Sequence, residues 1–167
     1  MIHASVIVCT YNRCEHLART LDSLYGMAVP DPIEWEVIVV DNNSRDGTRE
    51  TVESFRRRRN SDHPPIYLLE TKQGLSHARN RGIREARGNI VAFTDDDVIV
   101  DRNWLVNIAR EHSRSDAACV GGKILPIWEG TKPEWLREDL FHHIALLDLG
   151  DERIFLSSPT VWGARTR

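Results

Sequence analysis

The sequence predicts an α/β domain: a mostly parallel sheet with helices on both faces. Three observations carry that expectation. Short β-branched apolar runs alternate along the chain with amphipathic stretches at helical spacing. The runs are continuously apolar, as in strands covered on both faces. Polar clusters follow the runs, where loops of an alternating strand–helix chain gather.

Each element has its own signal. "ASVIVCT" (Ala4 to Thr10) reads as the first strand. Asn12 and Glu15 then stand at capping-box spacing before a helix carrying Leu17, Leu21 and Leu24. "WEVIVV" (Trp35 to Val40) is the second strand, and Asp46 is placed to cap a helix carrying Val52 and Phe55. "IYLLE" (Ile66 to Glu70) follows the Pro64-Pro65 break. Leu75, Ala78, Gly82, Ile83 and Ala86 line one face of a third helix, which Gly88 is expected to stop. "NIVAFT" (Asn89 to Thr94) is the fourth strand. Asp101 is placed to cap a helix with Trp104, Leu105, Ile108 and Ala109 along one stripe. "ACVGGKI" (Ala118 to Ile124) predicts a fifth strand. Past Pro126 the pattern weakens.

Composition narrows the function. The chain has 167 residues, long enough for one domain with a real core. Its net charge of -3 gives no basic field for nucleic acid or anionic lipid. Cys9, Cys14 and Cys119 form no C-x-x-C pair, which favours reduced thiols in a cytosolic compartment. No signal peptide and no transmembrane segment is expected.

Ligands of open α/β sheets bind beyond the carboxyl ends of the strands. Four polar clusters are predicted there: Thr10 to Arg13, Asp41 to Thr48, Lys72 to Asn80, and Thr94 to Asp97. Helix capping and turn chemistry account for Asn12, Asp46 and Gly47, but less readily for Asp41 or for three consecutive acids. In extended backbone Asp95 and Asp97 would share a side and Asp96 would point away. Two such oxygen ligands suit Mg²⁺ or Mn²⁺, with a diphosphate completing the site. A solvated acidic turn is the competing reading.

Together, "VIVCTYNR", "VIVVDNNSRDGT", "GLSHARNRGI" and "FTDDDV" resemble the successive motifs of the inverting nucleotide-sugar glycosyltransferases of family 2, which have the GT-A fold. The resemblance runs from about Ala4 to Ile124, and Gly121 to Leu136 looks like a further family segment. It implies one GT-A-like, Rossmann-type domain over 1–167. About 1–115 would be the nucleotide-sugar-binding half and about 116–167 a partial acceptor half. It implies metal-dependent, hexosyltransferase-like transfer from a nucleotide-diphosphate sugar, a UDP-sugar first among donors. The acceptor would be a saccharide, lipid-linked or other. Mn²⁺ or Mg²⁺ is the implied cofactor, and the implied location is cytoplasmic or peripheral to the inner face of the membrane.

The same resemblance assigns residues. Thr10, Tyr11 and Arg13 match the loop bordering the base, and Asp41 the acid that hydrogen-bonds the base or ribose. Arg79 matches a phosphate ligand, Asp95 the ribose-contacting acid, and Asp97 the metal ligand, with Asp96 a second candidate for either role. The catalytic base is not assigned. The family's later Glu-Asp motif has no counterpart after "VWGARTR", and Glu138-Asp139 falls outside the expected context. The acceptor half therefore reads as truncated, and a non-catalytic nucleotide-sugar-binding fragment is the alternative.

Other features carry less. Arg56 to Arg59 reads as a solvated helix end, and His142-His143 as exposed rather than metal-binding. Trp128 and Trp135 either stack on an acceptor sugar or pack the tail. A dinucleotide oxidoreductase would need G-x-G-x-x-G after the first strand, where "TYNRCE" stands. A phospho-acceptor receiver would need acids there, and a nucleotidyltransferase a Gly-rich phosphate loop.

Overall fold

The computed structural model describes residues 2–59, 63–137, 140–141 and 146–155. Strand and helix alternate as β1 (Ile2–Thr10), α1 (Cys14–Leu24), β2 (Ile33–Asp41), α2 (Thr48–Arg59), β3 (Ile66–Leu69), α3 (Leu75–Glu85), β4 (Ile90–Asp95) and α4 (Trp104–Arg114). The strands form one parallel sheet in the order β3-β2-β1-β4. This is the α/β architecture that the alternation predicts.

The strand order fixes where the helices go. The chain moves outward from β1 to β2 to β3, then crosses back beyond β1 to β4. Crossovers of parallel strands are right-handed, so reversing direction puts the connecting helix on the opposite face. Accordingly α1 and α2 pack on one face through Leu17, Leu21, Leu24, Val52 and Phe55, against Val6, Val8, Val37 and Val39. Leu105 and Ala109 of α4 join that core. Helix α3 covers the other face, where Ala78 meets Ile7, Ile38 and Val40. The point of reversal lies between β1 and β4, and such a switch point opens a crevice at the strands' carboxyl ends.

Two glycines set close approaches. A Cβ on Gly82 would lie 2.6 Å from Ile7 Cγ2, so α3 can seat on β1 only without a side chain there. A Cβ on Gly88 would lie 2.6 Å from the Ser5 nitrogen and 2.7 Å from the His3 oxygen. Gly88 therefore serves the contact with β1. It does not end α3, which stops at Glu85 with Ala86 extended at its C-cap.

Other local expectations need correction. Asn12 does not cap α1. Arg13 is its N-cap residue, without a side-chain cap bond, while Asn12 sits in the left-handed region at φ 53°. Ile83 is exposed, because the inward stripe of α3 ends at Ala78 and Gly82. Asp101 does organise the entry to α4: its carboxylate accepts from the Asn103 N–H (2.8 Å) and its carbonyl from the Trp104 N–H (3.0 Å).

The chain divides into two compact units, residues 1–118 and 119–167. The expected fifth strand at Ala118 to Ile124 is absent. Among the described residues only Ile124 pairs, as an isolated antiparallel bridge with Leu147. Gly121 and Gly122 offer no side chain to pack and weaken a strand interior. In the second unit Lys123 is ion-paired to Asp148 (3.0 Å) and Asp151 (2.7 Å), and Ile127, Trp135 and Phe155 are exposed.

Candidate functional site

The parallel register brings the predicted clusters together. Thr10 pairs with Asp41 across β1 and β2, Cys9 with Asp95 across β1 and β4, and Asp41 with Leu69 across β2 and β3. The loops after β1, β2 and β4 thus leave the same edge of the sheet, around the switch point.

The first two loops are laced to each other. The Asn12 N–H donates to Ser44 Oγ (2.9 Å), and the Arg45 N–H donates to Asn12 Oδ1 (2.7 Å). Both Asn12 and Asn43 hold positive φ, which asparagine tolerates better than most residues. Asp46 caps two helix starts at once. Its Oδ2 accepts from the Cys14 N–H of α1 (3.0 Å), and its Oδ1 accepts from the N–H and hydroxyl of Thr48 at the start of α2. Burial alone would raise the Asp46 carboxyl, but these hydrogen bonds outweigh it and hold it below the usual carboxylate range.

Asp41 is buried at the end of β2. Its Oδ1 accepts from the Ser44 N–H (2.8 Å) and its Oδ2 from the Tyr67 hydroxyl (2.7 Å). Burial, then the Asp41 carboxylate, pushes the Tyr67 phenol well above its ordinary value, so Tyr67 remains a donor. Beside it, Asn42 ties the next loop. Its Nδ2 donates to the carbonyls of Glu70 (3.1 Å) and Lys72 (2.8 Å), and its Oδ1 accepts from the Gly74 N–H (2.7 Å). That fixes the segment leading into α3, which carries Arg79. Neither Asn42 nor Tyr67 stands out from its neighbours in the sequence. Tyr67 pairs with Val39, two residues before Asp41, so strand alternation puts Tyr67 and Asp41 on one face once the register is known.

The acidic triplet is divided differently from expectation. Asp95 and Asp97 do not share a side. Strand β4 ends at Asp95, and Asp96-Asp97 form a turn. Alternation therefore stops one residue too early to align Asp97 with Asp95. The exposed Asp95 faces Arg79 of α3 at 4.0 Å, and Arg79 lies over the Phe93 ring at 5.9 Å. Asp96 is buried, and its carbonyl accepts from the Thr20 hydroxyl (2.8 Å). Arg13 Nη1 reaches Asp97 Oδ2 at 2.6 Å and Asp96 Oδ1 at 3.4 Å. Burial pushes the Asp96 carboxyl up, against the pull of the Thr10 hydroxyl and then of the Arg13 guanidinium. Thr10 is buried at the same edge, and Tyr11 presents an exposed ring.

Among the described residues no group of three or more His, Cys, Asp or Glu side chains suits a metal ion. The adjacent carboxylates of Asp96 and Asp97 nevertheless fit a hard divalent cation that takes its remaining oxygens from phosphate and water, the usual habit of Mg²⁺. Their present cationic neighbour is a guanidinium, so the turn is already arranged around positive charge.

Other expectations resolve as follows. Trp128 and Trp135 are exposed and belong to neither core cluster of the described residues. Arg56 pairs with Glu53, and Arg58 with Asp22, at the solvated end of α2. Glu138-Asp139, His142-His143 and the stretch from Val161 to Arg167 lie outside the described residues. Among the described residues no helix is long and apolar enough to cross a membrane.

Comparisons with known proteins agree with this arrangement. The chain is 36% identical over 141 residues to the succinoglycan biosynthesis protein ExoM of Rhizobium meliloti, covering 84% of this chain and 45% of that protein. It is 31% identical over 140 residues to the glucosyl-dolichyl phosphate glucuronosyltransferase of Haloferax volcanii, covering 82% and 43%. The chain thus spans less than half the length of these curated relatives. Among solved structures, the mannosyltransferase PcManGT of Pyrobaculum calidifontis, in complex with GDP-Man and Mn²⁺, superposes with a TM-score of 0.59 at 35% identity, covering 64% of this chain and 31% of that one. Residues 1–349 of S. aureus TarS in complex with UDP superpose with a TM-score of 0.60 at 29% identity, covering 75% and 38%. These neighbours are GT-A glycosyltransferases, so the fold is the expected one. Residues 5–166 match the family described as "Glycosyl transferase family 2", and the chain belongs to that family.

Proposed function

We propose that this chain binds a nucleotide-diphosphate sugar, a UDP-sugar first among candidates, and serves its inverting, metal-dependent transfer to an acceptor. One observation carries the proposal: Tyr11, Arg13, Asp41 and the Asp95–Asp97 triplet converge at the switch-point edge of a single parallel sheet. The bound nucleotides named for TarS and PcManGT support it.

The roles follow from the surroundings. The exposed Tyr11 ring offers a face for the base, and Thr10 lies beneath the same loop. Asp41 spends one lone pair on Ser44 and one on Tyr67, and each oxygen keeps a second for a base or ribose N–H or O–H. Asp95 and Arg79, on the α3 side, flank the ribose and diphosphate. Asp97, with Asp96 beside it, would hold Mn²⁺ or Mg²⁺. When bound, that ion supplies charge neutralisation for the departing diphosphate. Residues of about 1–115 form the donor half, and about 116–167 contribute to the acceptor half. Three free cysteines support a reducing, cytoplasmic location.

A second reading is donor binding without turnover, because no residue of this chain is assigned as the general base that transfer to an acceptor needs. Nucleoside diphosphate release with a panel of saccharide and lipid-linked acceptors decides between the two. Acceptor-dependent release supports transfer. Donor binding without it supports the second reading, and the absence of any donor binding refutes both.

A further inference from the structure

We infer that Arg13 is a resident counter-cation of the acidic turn, and that a divalent metal and the donor diphosphate enter together by displacing it. The inference rests on the metal site proposed above and assigns Arg13 a role distinct from bordering the base.

Arg13 occupies the N-cap position of α1, a poor place for it. Arginine has no acceptor with which to cap a helix, and a cation is disfavoured at the positive end of the helix dipole. No side-chain cap bond is made there. The capping is delegated to Asp46, which takes the Cys14 N–H from a neighbouring loop. The Arg13 side chain is thereby released from local duty. It spans instead to the turn after β4, 83 and 84 residues away, and bridges Asp96 and Asp97. Its hold there is loose: its side chain is 52% exposed and that of Asp97 43% exposed, and its contact with the buried Asp96 is long, at 3.4 Å.

The guanidinium and a metal ion compete for the same oxygen. Arg13 Nη1 lies 2.6 Å from Asp97 Oδ2, whereas Mg²⁺ binds a carboxylate oxygen at about 2.1 Å. Two cations held on one oxygen repel each other. Metal alone must therefore break the Arg13 contacts without offering Arg13 another anion. A diphosphate supplies that anion, in the geometry that arginine prefers. Metal and nucleotide then bind cooperatively, and the coupling is reciprocal.

The test is Mn²⁺ binding to the full 167-residue chain, followed by the electron paramagnetic resonance of free Mn²⁺, with and without UDP and with UDP alone as reference. Arg13→Gln should bind Mn²⁺ alone about five- to tenfold tighter than the wild type, the range expected for losing a half-exposed ion pair and its repulsion. UDP should tighten Mn²⁺ binding more in the wild type than in Arg13→Gln. Arg13→Lys, which keeps the charge, should stay close to the wild type. The inference is overturned if UDP promotes Mn²⁺ binding equally in wild type and Arg13→Gln, or if Mn²⁺ alone binds both alike. If Mn²⁺ binds no variant even with saturating UDP, the metal site itself is refuted, and this role for Arg13 with it.

Discussion

The cluster at the end of β2 and the cluster at the end of β4 are built on opposite plans. At β2, Asp41 and Asn42 are buried and make five hydrogen bonds between them, to Ser44, Tyr67, Glu70, Lys72 and Gly74. At β4, Asp95 and Asp97 are exposed and face the partly exposed charges of Arg79 and Arg13. A satisfied buried network fixes geometry, because each lost partner strands a polar group away from water. Exposed ion pairs fix little. The first cluster is suited to defining where a nucleoside sits, and the second to exchanging one cation for another.

Breaking the β2 cluster should have the largest effect. Asn42→Ala strands two carbonyls and one N–H at the 70–74 segment. A loss of about 2–4 kcal/mol in stability is expected, measurable by urea denaturation. A loss below about 1 kcal/mol would mean that this network is not what holds the segment. Asp41→Asn turns an amide N–H toward one of its two donors, Ser44 N–H or Tyr67 hydroxyl. It should weaken UDP and UDP-sugar about tenfold and to the same degree, by calorimetry. A change confined to Mn²⁺ affinity would contradict a nucleoside role.

Asp46 gives a smaller, pH-dependent effect. Its carboxyl is held low in the folded state, so its contribution is present above the unfolded pKa and lost as pH falls through the folded one. Asp46→Asn should cost about 1 kcal/mol near neutral pH, as for other lost caps. Melting curves of variant and wild type should converge in acid. Arg13→Gln should have the smallest effect on stability, within about 0.5 kcal/mol, because its short pair with Asp97 is half exposed and its contact with the buried Asp96 is long, at 3.4 Å. A loss as large as that of Asn42→Ala would erase the contrast between the clusters.

Much of the fold was legible because β-branched runs such as Val6 to Val8 and Val37 to Val40 are apolar on both faces, and only a covered parallel strand requires that. Their carboxyl ends then placed Tyr11, Arg13, Asp41 and the triplet on one edge. What stayed hidden depends on partners distant in the chain. The partners of Asn42 are 28 to 32 residues away. The split of the triplet depends on β4 ending opposite Cys9, which no local pattern marks. The helix cap from Asp46 crosses 32 residues to Cys14. At Ala118 to Ile124 the sequence is strand-like, but among the described residues Ile124 alone finds a partner, at Leu147.

The central claim is that donor binding depends on a divalent ion held through Asp97. Calorimetric titration of UDP-GlcNAc and GDP-mannose, each with and without Mn²⁺, into wild type and Asp97→Ala tests it directly. The account predicts that Mn²⁺ strengthens binding of at least one donor to the wild type, and that Asp97→Ala removes this gain while leaving metal-free affinity nearly intact. Equal Mn²⁺-dependent affinity in the two proteins would contradict it.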